Sequence, residues 1–152
     1  IEVVEPYLSN LGKRLVKSPK VYISDSGITS ALLGVRSFEE LSGHPAFGAI
    51  WEQIVLSNLK GLFPDADFFY YRTTNGAELD FVMKIYNHIF AIECKASYSP
   101  TLSKGNYLAI EDIAPQHTFI VTPSPDGWPM KKGIDVVSLG GVKEVIENIC
   151  YT

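Results

Sequence analysis

Apolar side chains recur at three- and four-residue steps between Ala46 and Phe63, at Phe47, Ile50, Trp51, Ile54, Val55, Leu59 and Leu62. That spacing lays them along one stripe of a helix and predicts an amphipathic α-helix. The pattern then changes period. Residues 67–72 (DFFYYR) are aromatic and strand-like, Thr73 to Gly76 is turn chemistry, and 77–85 and 88–96 read as two further strands, so a three-strand antiparallel meander follows the helix. Residues 103–113 read as a second helix that Gly105 weakens. HTFIVTP (117–123) reads as a buried strand, PSPDGWP (123–129) as a loop, IDVVSL (134–139) as a short strand and GVKEVIENI (141–149) as a closing helix. Upstream, a turn at Ser18-Pro19 leads to a strand from Lys20 to Ser24, with Asp25 or Ser26 capping a short helix that stops near Gly34. The fold class is α/β, a mixed central sheet with an antiparallel three-strand meander flanked by helices.

A length of 152 residues with 46% hydrophobic content suits one compact domain. Apolar runs are cut by Glu52, Asp80, Lys84 or Glu93 before they approach the roughly 18 residues of a membrane span, so a soluble protein without membrane partners is expected. Two cysteines, Cys94 and Cys150, do not make a disulfide framework, which fits a cytoplasmic location. The opening IEVVEPYLSN has no initiator Met and no signal-peptide pattern and suggests a piece of a longer polypeptide. A net charge of -4 argues against bulk electrostatic coating of nucleic acid; Lys13, Arg14, Lys17 and Lys20, like Lys131 and Lys132, read as solvated loop charge.

The charges inside the hairpin GAELDFVMKIYNHIFAIECKAS (76–97) change the picture. Strand parity puts Leu79, Phe81, Met83 and Ile85 on one face of the first strand and Glu78, Asp80, Val82 and Lys84 on the other; the second strand divides into Phe90, Ile92, Cys94 and Ala96 against Ala91, Glu93 and Lys95. A two-residue turn at Asn87-His88 sets Asp80 opposite Lys95 and Val82 opposite Glu93, and a slide of two residues sets Asp80 opposite Glu93. Either register gathers Asp80, Glu93 and Lys95 into one patch, expected beneath the first long helix. Adjacent carboxylates repel unless a cation lies between them, and Mg²⁺ takes oxygen ligands from one or two carboxylates. Lys95 would then orient the attacking water or offset charge on a phosphate. The competing interpretation is the solvated face of an exposed hairpin with Lys95 paired to an acid.

Asp80 followed by Glu93-Cys94-Lys95 resembles the D…(D/E)-x-K signature of the PD-(D/E)xK nuclease superfamily, whose restriction endonuclease-like core runs helix, three-strand meander, helix, strand. SNLGKRLVKSPKVYISDSGITSALLG, the Trp51-Glu52 pair, YYRTTNGAELDFV and AIECK together resemble the domain of unknown function at the C-terminal end of many prokaryotic AAA-type ATPases. The resemblance implies an N-terminal extension over 1–45, joining a missing upstream ATPase module, and a nuclease-like domain over 46–152. It implies that Asp80 and Glu93 bind metal with the Glu93–Cys94 carbonyl as a further ligand, that Lys95 is the motif lysine, and that Glu52 is the first-helix acid. Mg²⁺ or Mn²⁺ is the implied cofactor, and nucleic acid, DNA foremost, the implied partner, with oligomerisation through the ATPase module. Leu79 stands where the superfamily commonly has Pro. The implied function is phosphodiester hydrolysis; the alternatives are a catalytically inactive nuclease-fold module that binds nucleic acid or protein and regulates the ATPase, and an interaction domain of a toxin-antitoxin or defence ATPase.

His44, His88 and His117 lack ligand spacing, and the Cys94 side chain reads as core. Arg72 to Asn75 could meet a phosphate but reads first as a turn, and Ser24-Asp25-Ser26 as a helix cap.

Overall fold

A computed structural model describes residues 1–8, 12, 14–25, 27, 31 and 33–152. Its strands are β1 (Glu2–Pro6), β2 (Lys20–Tyr22), β3 (Asp67–Arg72), β4 (Glu78–Ile85), β5 (His88–Cys94), β6 (His117–Thr122), β7 (Trp128–Lys131) and β8 (Ile134–Ser138). Its helices, among the described residues, are α1 (Phe38–Ser42), α2 (Phe47–Leu62), α3 (Lys104–Ile113) and α4 (Val142–Cys150). Among the described residues all eight strands form one sheet in the order β2-β1-β3-β4-β5-β6-β8-β7. The sheet is mixed: β3, β4 and β5 are an antiparallel meander, β1 runs parallel to β3, and β5, β6 and β8 are mutually parallel.

Helices cover both faces. Ile50, Trp51, Val55 and Leu59 of α2 pack with Phe81, Met83, Phe90, Ile92, Phe119 and Val121, and Val142 and Ile146 of α4 join the same cluster. Ala109 and Ile113 of α3 pack on the opposite face against Tyr71, Leu79, Val82 and Ala91. The Trp51 indole donates to the Val121 carbonyl at 3.0 Å, which satisfies a buried N–H and pins α2 over β6. Ser103 begins α3 with a reciprocal cap: its hydroxyl accepts from the Asn106 amide at 3.1 Å while the Asn106 side-chain oxygen accepts from the Ser103 amide at 3.0 Å. Among the described residues no helix is long and apolar enough to cross a membrane.

Several details depart from the sequence expectations. IEVVEP, given no element there, supplies β1, and SFEE supplies α1, whose Ser37 hydroxyl accepts from the Glu40 amide at 3.1 Å. Trp128 and Pro129, expected in a loop, open β7; as an edge strand paired with β8 it tolerates a residue that cannot donate. The hairpin turn is Tyr86-Asn87 and not Asn87-His88, because Ile85 opposes His88. That is the slid register, and its ladder ends where Phe81 meets Ile92. Finally, strict parity fails on β4. Phe69 opposes Val82 but Tyr71 opposes Leu79, so β4 carries one extra residue, a bulge. Leu79 consequently joins the α3-side cluster while Phe81 joins the α2-side cluster. The strand expected over Lys20 to Ser24 ends at Tyr22, and the short helix expected after Asp25 or Ser26 falls largely outside the described residues.

Candidate functional site

The bulge decides where the acids stand. On uninterrupted alternation Asp80 and Glu93 would share the α3 face with Val82 and Ala91, away from Glu52 on α2. A bulge turns one side chain out of sequence. Asp80 stands close enough to Glu52 and Lys20 to interact electrostatically with both. Where the β4–β5 ladder stops, the two acids replace it with crossed side-chain bonds: the Asp80 amide donates to Glu93 Oε2 at 3.1 Å, and the Cys94 amide donates to Asp80 Oδ2 at 2.9 Å. Lys95 Nζ lies 3.3 Å from Glu93 Oε1, with the lysine side chain 29% exposed and Glu93 buried.

Glu52 projects from α2, where its Oε1 accepts from the Tyr22 hydroxyl and from Lys20 Nζ at 3.2 Å. Three carboxylates thus gather with two ammonium groups, leaving one formal negative charge in excess. Burial, then Glu93, then Glu52 push the Asp80 carboxyl well above the usual carboxylate range, and the Cys94 amide and Lys20 hold it back. Burial also raises Glu93, against the Asp80 amide and Lys95. The Cys94 thiol is pushed up by burial and by Asp80, and it packs against the α2-side cluster, so it serves as core and not as a nucleophile.

Other candidates lie elsewhere. Glu78 pairs with Arg72 at 3.7 Å on the surface. Thr73 closes the turn before β4, its hydroxyl accepting from the Ala77 amide at 3.1 Å. His44 Nδ1 accepts from the Ala46 amide, His88 stacks on Phe90, and His117 bonds Asp135 at 2.8 Å. Asp25 Oδ1 accepts from the Gly27 amide at 2.8 Å, in keeping with a local cap. Arg14, Lys17, Lys131 and Lys132 are exposed, and Lys13 lies outside the described residues. Lys20 is the exception among these cations, and Tyr22 was not singled out in the sequence at all. Their i, i+2 spacing in Lys-Val-Tyr was the available signal, since it puts both on one face of a strand.

A family profile described as "Domain of unknown function (DUF4143)" matches residues 47–141, a span that contains Glu52, Asp80, Glu93, Cys94 and Lys95. The chain belongs to the DUF4143 family. Two curated relatives of this DUF4143 chain, uncharacterized proteins of Mycobacterium tuberculosis and Mycobacterium bovis, are each 30% identical over 152 residues, covering 96% of this chain and 34% of the relative. The chain therefore spans about a third of the length of the curated relatives it matches. A chain from the assembly of Thermococcus gammatolerans McrB AAA+ hexamers with bound McrC superposes with a TM-score of 0.48 at 11% identity, over 67% of this chain and 33% of that one.

The donor chemistry of the DUF4143 site fits a hard divalent cation, because Asp80, Glu93 and Glu52 offer oxygen. Asp80 Oδ1 and Glu52 Oε2 have no hydrogen-bond partner among the described residues. The geometry is closed, however: no three His, Cys, Asp or Glu side chains among the described residues form a ready ligand cluster. The Cys94 peptide contributes its N–H, spent on Asp80.

Proposed function

We propose that this DUF4143 chain is a metal-dependent nuclease-like domain with a restriction endonuclease-like core, hydrolysing nucleic-acid phosphodiesters, DNA foremost. It would act as one module of a larger ATPase-containing protein; the relatives' greater length supports the larger size alone. The observation that carries the reading is the crossed bonding of Asp80 and Glu93 with Lys95 on the outer side of Glu93. Buried like charges cost stability, and a fold gains from keeping them together when a cation is to be held. Asp80, Glu93 and Glu52 would hold Mg²⁺ or Mn²⁺, which when bound supplies Lewis-acid polarisation of the phosphate. Lys95, partly exposed at the rim, places positive charge where negative charge grows on phosphorus-bound oxygen, and can hold the attacking water by hydrogen bond. Water attacks phosphorus in line, the opposite P–O bond breaks, and through solvent the water gives up a proton while the departing oxygen takes one up.

One observation favours a second reading, a catalytically inactive module. Each acid of the set is already engaged by a protein donor, and a ready ligand cluster is missing among the described residues. The same bonds would then serve to tie the ends of β4 and β5 together.

Incubation of circular DNA with the chain and Mg²⁺ or Mn²⁺, beside an EDTA control, separates the two. Metal-dependent cleavage lost in both Asp80→Ala and Lys95→Ala, with unchanged circular dichroism, is the expected result. Cleavage that survives both substitutions rules the mechanism out. Absent cleavage together with absent Asp80-dependent Mn²⁺ binding selects the inactive module.

A further inference from the structure

The geometry points to Tyr22 and Lys20 on β2 as positioning residues for Glu52, which makes the β1–β2 ribbon a working part of the acidic site. This rests on the reading of Asp80, Glu93 and Glu52 as the acids that hold a divalent cation. A glutamate on a helix surface has several staggered rotamers open to it, and its carboxylate sweeps a wide arc. Glu52 has lost that freedom, because one oxygen receives both the Tyr22 hydroxyl and the Lys20 ammonium. The other oxygen, Oε2, has no partner among the described residues.

The two donors are themselves fixed relative to the acids. Tyr22 pairs with Glu2 and Lys20 with Val4 across the ribbon, and β1 continues into the main sheet through its pairing of Glu5 with Phe69. The Tyr22 ring sits 5.9 Å from the ring of Phe81, the neighbour of Asp80 in the bulge. Lys20 Nζ lies 5.4 Å from the centre of the Tyr70 ring, a cation–π contact that holds its ammonium in place. Gln53, the residue after Glu52, donates its side-chain N–H to the Ile23 carbonyl, so α2 grips the end of β2 by two adjacent side chains. Val21, between the donors, is exposed on the other face. A ribbon needed solely to cover α2 would be served by an apolar residue at position 22; a half-buried phenol aimed at a carboxylate points to placement of that carboxylate.

A double-mutant cycle on the whole chain tests this, with Tyr22→Phe, Glu52→Gln and the pair. Tyr22→Phe keeps the ring on Phe81 and removes one donor. Mn²⁺ affinity is read by calorimetry, with Asp80→Ala as reference, and melting is followed in EDTA. Tyr22→Phe is expected to weaken Mn²⁺ binding about tenfold, in line with a hydrogen bond to a charged group, and to change it less than about twofold when Glu52 is already Gln. A lowered melting temperature with unaltered Mn²⁺ affinity makes Tyr22 a staple only and overturns the positioning role. So does an effect of Tyr22→Phe that persists undiminished in Glu52→Gln. A parent chain without Asp80-dependent Mn²⁺ binding overturns the metal reading itself, and this role for Glu52 with it.

Discussion

The two ends of the β4–β5 hairpin are built on different physics. From Phe81 and Ile92 inward to the turn, the strands alternate strictly: Phe81, Met83, Phe90 and Ile92 feed the α2 side, Val82 and Ala91 feed the α3 side, and all six are fully buried. Beyond that pair the ladder gives way to a bulge and to two carboxylates bonded across to backbone amides. Hydrophobic burial is non-directional and indifferent to pH, whereas a buried carboxylate is directional and answers to protons and cations. The inner end therefore sets stability, and the outer end sets how that stability responds to solution conditions.

The largest effect belongs to the inner end. Phe90 is 0% exposed, with the Phe119 ring 5.6 Å away and the His88 ring stacked on it at 5.8 Å. Phe90→Ala should cost about 3–5 kcal/mol in urea denaturation, because what is lost is apolar burial and ring packing. A cost under about 1 kcal/mol breaks the distinction between the ends.

Next comes the joint between α3 and the outer end. A Cβ on Gly105 would stand 2.2 Å from the Gly76 carbonyl oxygen, and the adjacent Asn106 donates its side-chain N–H to the Glu78 carbonyl at 3.0 Å. Helix propensity alone favours Gly105→Ala by up to about 1 kcal/mol, while overpacking against backbone costs roughly 1–3 kcal/mol. The steric term wins, and a net loss of about 1–2 kcal/mol in the same denaturation assay is expected. A more stable variant would mean that α3 slides freely over the turn and does not brace β4.

Gly105 also marks how far the sequence could be read. There it is a weak point in a helix; its reason lies in a turn some thirty residues earlier, which no local pattern reveals. The helix α2 was legible because its period runs unbroken for many residues, and the meander because aromatic and β-branched runs are set apart by turn residues. Glu2-Val3-Val4-Glu5 has no clean alternation, and its partner β3 is distant in the chain, so β1 was not. At the hairpin, local chemistry favoured Asn-His as the turn, but burial of Phe81, Phe90 and Ile92 fixes the register and leaves Tyr86 with a positive φ of 53°. Asp80, Glu93 and Lys95 could be grouped by parity, yet the bulge that brings Asp80 toward Glu52 is a tertiary feature. Lys20 looked like loop charge for the same reason, its partner being 32 residues away.

The smallest effect tests the outer end most directly, through pH. Folding raises the Asp80 pKa above its unfolded value of about 3.9, first by burial and then by Glu93 and Glu52. The folded state therefore binds the proton more tightly than the unfolded chain. The stability this contributes is complete below about pH 4 and is lost as pH climbs through the folded pKa. Above its unfolded pKa the Asp80 carboxyl weighs against the fold, and Asp80→Asn, which still offers the Cys94 amide an oxygen, should raise stability at pH 7 and flatten the pH profile. Millimolar Mg²⁺ should stabilise the parent chain at pH 7 and leave Asp80→Asn unmoved, because the neutral amide offers the cation no carboxylate. An Asp80→Asn chain that is weaker at every pH would show that the hydrogen bond from Cys94 outweighs the burial of charge, and the outer end would then be a structural clasp governed by the same stability logic as the inner one.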